Sequence, residues 1–285
     1  MLGGKMAMSR RLWISINFGF LFLAAAPLGF KLSAAIQLKH SPTLAVSDAG
    51  SWKAIHKGVE YRKMTLDRSD PAQLIELKLL RFDTRWIAPR IVRSSQYQLG
   101  GANVKMFAEK SGALAVINAN YFDEKGRPLG FLKTGGEEIN RSISKSSLFT
   151  GIFGVRDGAS FIMHRNDFLS PQADEALQSG PLLLHRGSVV EVTRGHARYS
   201  RRAIIGIDQE QRVVIAVTDG LLGGLNWGEL QELFSTPQWQ LQTPDLLNLD
   251  GGGSAQLYLK TAKFQETIPG TAEVPVAVAF FAKAN

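Results

Sequence analysis

Beyond residue 150 the chain alternates short apolar runs with turns of two or three residues, and this rhythm restricts the fold more than any other feature. Residues 151–155 and 159–163 flank Asp157-Gly158, residues 182–185 and 189–192 flank Arg186-Gly187, and residues 203–207 and 213–218 flank Gln209-Glu210-Gln211. Such short connections join antiparallel neighbours, because a parallel pair needs a crossover of roughly a dozen residues or more. Further strands are predicted at 72–82, 113–117, 246–249, 255–259 and 274–281, the second of them apolar throughout, as suits a strand buried on both faces.

Helical signals are few. Met106 and Phe107 belong to a short pattern stopped at Lys110-Ser111-Gly112, and Asn226-Trp227-Gly228-Glu229 has the form of a capping box, with Leu230 and Leu233 facing inward before Pro237. The expected fold is therefore α+β, a single domain over residues 58–285 with a large, mostly antiparallel β-sheet core and a few helices; a doubly wound α/β fold is the weaker alternative. With 285 residues, of which 45% are hydrophobic and 20% charged, the chain can bury one sizeable core.

The N-terminus carries an address. Arg10 and Arg11 precede an uncharged, largely apolar stretch, residues 12–30, and Ser33-Ala34-Ala35 supplies the small residues a signal peptidase cuts after, which would make Ile36 the first mature residue. Residues 1–35 read as a signal peptide or, uncleaved, as a membrane anchor just long enough for a thin bilayer. The protein is expected to be periplasmic or secreted, with possible tethering to the inner membrane through this segment. Residues 36–57 are polar and irregular and read as a linker or arm.

The chain has no cysteine, so disulfides and thiolate metal sites are excluded and any nucleophile must be oxygen or nitrogen. A net charge of +8 would favour an anionic partner, although part of it is N-terminal, at Lys5, Arg10 and Arg11, and the blander reading of it needs no partner. Without a dense basic helix or interleaved aromatic and basic residues, that partner is not expected to be nucleic acid. The five histidines show neither metalloprotease spacing nor a neighbouring serine elbow.

Four segments carry candidate chemistry. Asn248-Leu249-Asp250-Gly251-Gly252-Gly253-Ser254 lies between two apolar runs, and three consecutive glycines exceed what a hairpin requires. Either it is a flexible turn, or the backbone amides of Gly251 to Gly253 cradle an anion with Asp250 at the rim. Asn118-Ala119-Asn120-Tyr121-Phe122 follows a buried strand; such residues serve a plain strand end, or bind sugar hydroxyls and stack on a pyranose. Gln178-Ser179-Gly180-Pro181 opens a strand, and Arg202 could hold phosphate by a bidentate contact, whereas Arg201 reads as a surface arginine. Asp219 ends an apolar strand as Asp250 does, and two carboxylates are what glycoside cleavage requires. Asp208 reads as a solvated turn. No cofactor is evident, although Asp219 and Asp250 could ligate a divalent cation.

Taken in order, Asn118 through Phe122, Gly180-Pro181, Arg202-Ala203-Ile204-Ile205-Gly206, Asp219-Gly220 and Asn248 through Ser254 resemble the motifs of the phosphodiester glycosidase family, from about Gly112 to the last strand. The pattern departs from the family where Ala119 and Asn120 replace two glycines and Ala203 replaces a threonine. The resemblance implies a hydrolase acting on a sugar phosphodiester, its partner a phosphate-linked glycan or glycolipid. Asp250 and Asp219 would be catalytic, with Asn118, Asn120, Tyr121, Phe122, Gln178, Gly180, Arg202, Asn248, Gly251, Gly252, Gly253 and Ser254 binding substrate. The rival is a non-catalytic glycan-binding or envelope and exopolysaccharide assembly protein, motivated by the altered Asn118-Ala119-Asn120 segment.

Overall fold

A computed structural model describes residues 36–37, 41, 43–192, 197–220 and 223–284. The predicted signal or anchor segment lies outside the described residues. No helix among them is long and apolar enough to cross a membrane.

Strands dominate. A ten-stranded sheet runs in the order Ile36–Gln37, Leu44–Asp48, Val59–Ser69, Ala72–Phe82, Val213–Asp219, Ala203–Ile207, Asp245–Asn248, Leu182–His185 and Ser188–Val189, with Lys53–His56 paired to Val59–Ser69 off that path. A five-stranded sheet holds Ala159–His164, Gly151–Arg156, Glu175–Ser179, Leu132–Thr134 and Glu137–Asn140. A second holds Gln265–Ile268, Leu257–Lys260, Ala115–Asn118, Val276–Ala282 and Ile87–Arg93. Every pairing among the described residues is antiparallel, which excludes the doubly wound alternative.

Among the described residues, two α-helices cover what the sheets leave open. Helix α1 (Val104–Ser111) is capped by the Asn103 side chain on the Met106 amide and ends at Gly112 in the left-handed region, which glycine enters without a Cβ clash. Its Phe107 and Ala108 pack on Val116, Tyr258 and Ala279. Helix α2 (Trp227–Ser235) starts in the reciprocal Asn226/Glu229 capping box and packs Leu230, Leu233 and Phe234 against Leu66, Leu77 and Ile204 of the large sheet. The sheet's other face, with Leu80, Ile205, Ile215 and Leu247, meets Ile117, Phe153, Leu177 and Phe280 from the two smaller sheets. Covered on both faces, the run Val213 to Val217 is apolar without alternation, although its sheet is antiparallel.

The stretch read as a linker or arm is drawn into this architecture. Leu44–Asp48 pairs with Val59–Ser69, and Leu44 and Val46 are buried against Leu66 and Ile75. Its short apolar core, Leu44-Ala45-Val46, was masked in sequence by the polar residues around it. Two further readings are corrected. Arg201 is buried rather than a surface arginine, its Nη2 donating to the carbonyls of Ala255 at 2.8 Å and Pro269 at 2.7 Å. Asp208 is buried too, accepting from the amides of Glu210 and Arg212 and from Arg212 Nε at 2.7 Å.

Candidate active site

The registers Ala203↔Val217 and Ile204↔Asn248 bring Arg202, Thr218 and Leu249-Asp250 to one end of the large sheet. Alternation then sorts their side chains by face. Val213, Ile215 and Val217 face the smaller sheets, as do Ala203, Ile205, Leu247 and Leu249, whereas Val214, Ala216, Ile204 and Leu246 face α2. By the same parity Arg202, Asn248 and Asp250 belong to the α2 face, and Arg201 and Asp219 to the other.

On the α2 side lies a cleft of about 310 Å³, lined by Tyr121, Leu148, Arg198, Ser200, Arg202, Trp227, Asp250, Gly251 and Gly252. Its volume is at the lower end of small-molecule sites. Asp250 is held by its backbone: its amide donates to the Ala119 carbonyl at 2.9 Å and its carbonyl accepts from Asn118 Nδ2 at 2.7 Å. Burial pushes its carboxyl above the ordinary carboxylate range, opposed by hydrogen bonds from the Ser254 side chain and the Gly251 amide. Burial likewise lowers the Arg202 guanidinium to about 10. Arg202 Nε donates to the Leu225 carbonyl at 2.7 Å and Nη2 to the Arg198 carbonyl, leaving Nη1 uncommitted among the described residues. The Trp227 ring lies 5.0 Å from the guanidinium carbon. Tyr121 donates to the Gly180 carbonyl at 3.2 Å and accepts from Asn248 Nδ2 at 3.0 Å; burial, and then the Asp250 charge, raise its pKa and keep it a neutral phenol.

Several predicted ligands prove to be supports. Asn118 and Asn248 are fully buried, the first joining the Asp250 carbonyl to the Gln256 amide, the second joining Tyr121, the Gly180 carbonyl and the neighbouring Leu249 carbonyl. Gln178 is 1% exposed and holds the loop that carries Leu148: its Oε1 accepts from the amides of Phe131 and Ser144, and its Nε2 donates to the carbonyls of Ser144 and Phe149. Asn120 is buried outside the cleft lining, with Nδ2 on the Tyr121 carbonyl at 3.0 Å. Phe122 packs toward α1. Gly180 touches the same loop so closely that a Cβ there would lie 2.0 Å from the Leu148 carbonyl oxygen.

The expected anion cradle is corrected at two of its three amides. The Gly251 amide donates to Asp250 Oδ1 at 2.9 Å and the Gly252 amide to the Arg201 carbonyl at 2.9 Å, so neither is open to a ligand. The glycines serve chain packing instead: a Cβ on Gly251 would sit 2.8 Å from the Arg201 carbonyl, and one on Gly253 2.6 Å from Thr271 Oγ1. Asp219 is also corrected. It lies 3.7 Å from Lys78 Nζ, in a cluster with Glu76 and Glu266, and does not line the cleft. Directly opposite Glu76 in the sheet, it needs the diagonal lysine to offset like charge. A cation shared by Asp219 and Asp250 therefore does not fit the geometry, and no group of three or more potential ligands occurs among the described residues.

Arg198, Ser200 and Leu148 line the cleft without having been singled out in sequence, and Trp227 had been read only as a helix start. Their one sequence signal is that Arg198 and Ser200 stand just before Arg202.

The family model for phosphodiester glycosidase matches residues 111–282. The chain belongs to the phosphodiester glycosidase family. No curated protein matches it in sequence. Among solved structures, the chain resembles the zebrafish N-acetylglucosamine-1-phosphodiester alpha-N-acetylglucosaminidase catalytic domain auto-inhibited by its pro-peptide, with TM-score 0.63 and 17% identity over 86% of this chain and 90% of that one. It resembles equally a hypothetical protein from Synechocystis, with TM-score 0.63 and 15% identity over 84% of this chain but only 65% of that one. At such identities the likeness establishes the fold, and the family match supports a hydrolase of the phosphodiester glycosidase type.

Proposed function

We propose that the protein hydrolyses the bond between an anomeric carbon and phosphate in a sugar phosphodiester, at the cleft bearing Asp250 and Arg202. The single observation that carries this reading is that these two side chains, distant in sequence, share one cleft on the α2 face of the sheet. A phosphate monoester is a weak base, with a second pKa near ~6, so its departure calls for neutralised charge more than for a donated proton. Arg202 and Arg198 supply that charge, and the Trp227 and Tyr121 rings offer apolar faces to a sugar. Asp250 then acts on the anomeric carbon side, as nucleophile or as the base that activates water.

A chromogenic sugar phosphodiester tests the reading directly. The wild type is expected to turn it over, and Asp250→Asn to be slower by on the order of a hundredfold to ten-thousandfold. That Asp250 is the one carboxylate among the described residues lining the cleft favours the second reading, a glycan-binding or assembly protein without turnover. Wild-type protein that binds the phosphodiester and never cleaves it would decide for that alternative. Export rests on the N-terminal basic and apolar sequence.

A further inference from the structure

Arg202 is held by residues at the start of α2, and those residues are held in turn by a buried charge pair. Arg68, on the strand Val59–Ser69, meets Glu229 through Nη2 at 2.6 Å and Nε at 3.2 Å, and the two side chains are 0% and 1% exposed. Glu229 does a second thing with the same carboxylate. Its Oε2 accepts from the Asn226 amide at 2.9 Å, while its own amide is capped by Asn226 Oδ1 at 2.9 Å. The residues on either side of Asn226 both face Arg202: the Leu225 carbonyl takes Nε, and the Trp227 ring lies beside the guanidinium.

A capping box needs no arginine, and a buried ion pair is weak grounds for stability because desolvation offsets most of its attraction. What the pair adds is a fixed direction. The carboxylate bonded to Arg68 cannot swing away from the Asn226 amide, so the Leu225-Asn226-Trp227 backbone has one position relative to the sheet. Arg68 is further confined, with Nη1 on Gln73 Oε1 at 3.2 Å and the Tyr199 ring 4.0 Å from its guanidinium carbon. The Tyr199 neighbours Arg198 and Ser200 both line the cleft.

We propose that Glu229 is a positioning residue for the cleft: by bonding Arg68 and the Asn226 amide together it fixes the start of α2, and through the Leu225 carbonyl and the Trp227 ring it aims the Arg202 guanidinium at a substrate phosphate. This rests on the reading of Arg202 as the phosphate ligand. Neither Glu229 nor Arg68 lines the cleft, so both act through Arg202 rather than on substrate.

The probe is inorganic phosphate, with its dissociation constant measured by calorimetry on the full chain, alongside thermal unfolding and turnover of a chromogenic sugar phosphodiester. Glu229→Gln keeps an acceptor for the Asn226 amide but removes the charge that holds Arg68. It is expected to weaken phosphate binding by roughly tenfold to a hundredfold, the size of effect that partners of directly bonded ligands commonly have. The loss should vanish when Glu229→Gln is made in an Arg202→Ala background, because two changes acting through one contact do not add. Should Glu229→Gln unfold, Arg68→Met/Glu229→Gln neutralises both partners and leaves no lone buried charge. In that folded double variant, phosphate binding still weakened supports positioning, and binding restored to the wild-type value overturns it. Unchanged phosphate affinity in a folded Glu229→Gln protein, or an equal loss in the Arg202→Ala background, also overturns it. If Arg202→Ala alone leaves phosphate binding intact, the phosphate reading of Arg202 fails and the positioning proposal falls with it; if Arg202→Ala weakens binding and Glu229→Gln does not, only the latter falls.

Discussion

Desolvation at Asp250 favours the neutral acid, and this has opposite consequences for stability and for turnover. A group whose folded pKa lies above its unfolded value contributes stability that is present below the unfolded value and lost as pH rises through the folded one. Above its folded pKa the ionised, half-buried carboxylate is thus a net cost to the fold. Asp250→Asn is expected to unfold at the same or a higher temperature than wild type at pH 7, with the gap closing in acid, while turnover collapses as described above; a variant both unstable and inactive would show Asp250 to be a turn residue. Because the nucleophile or base must be ionised, the acid limb of kcat/KM should fall at a pH above the ordinary carboxylate range. A pH–rate profile of the wild type checks this, and a limb near 4 would contradict the burial argument. At Arg202 the test is selectivity. Arg202→Ala should weaken a sugar phosphodiester far more than the matching uncharged glycoside, since a charge-assisted contact is lost only with the former.

At the scale of elements, the site depends on a loop with no regular structure. Residues 141–149 carry Leu148 to the cleft and are held from outside, by the Gln178 side chain and by Arg165 Nη1, which donates to the carbonyls of Ser144, Ser146 and Phe149. Gln178→Leu fills a similar volume but leaves the Phe131 and Ser144 amides without their acceptor, at roughly 1–3 kcal/mol for each, while Arg165 still serves the Ser144 and Phe149 carbonyls. A lower thermal midpoint and a raised KM are expected, with kcat less affected because Asp250 is untouched; an unchanged KM would detach the loop from the site. The loop was invisible to sequence reading for a physical reason. It has no periodicity, and its order comes from the buried Gln178 and partly buried Arg165, on other strands and turns. By contrast α2 was legible down to its cap, because the Asn226 and Glu229 bonds are local and reciprocal. The hairpins at Asp157-Gly158 and Arg186-Gly187 were legible for the same reason, with Asp157 and Arg186 at positive φ ahead of glycine.

At the scale of the whole molecule, the large sheet takes in Leu44–Asp48, and burial of Leu44 and Val46 against Leu66 and Ile75 makes this strand part of the core. A chain begun at Gly50 should therefore lose several kcal/mol relative to one begun at Ile36, given about 1.5–3 kcal/mol for each large apolar side chain returned to water. Denaturant unfolding of the two chains measures the difference, and equal midpoints would restore the reading of a loose arm. Local chemistry in the sequence by itself determined the antiparallel class, both helices with their stops, and the Asp250 and Arg202 motifs, since turns, caps and apolar runs act over a few residues. Only the tertiary structure decided which of those motifs face one another. Both faces of the central strands are apolar, so alternation in the sequence cannot tell which side of the sheet a strand-end residue joins. Packing against α2 on one face and the smaller sheets on the other sent Arg202 and Asp250 to the cleft, and left Asp219 with Lys78 on the far side.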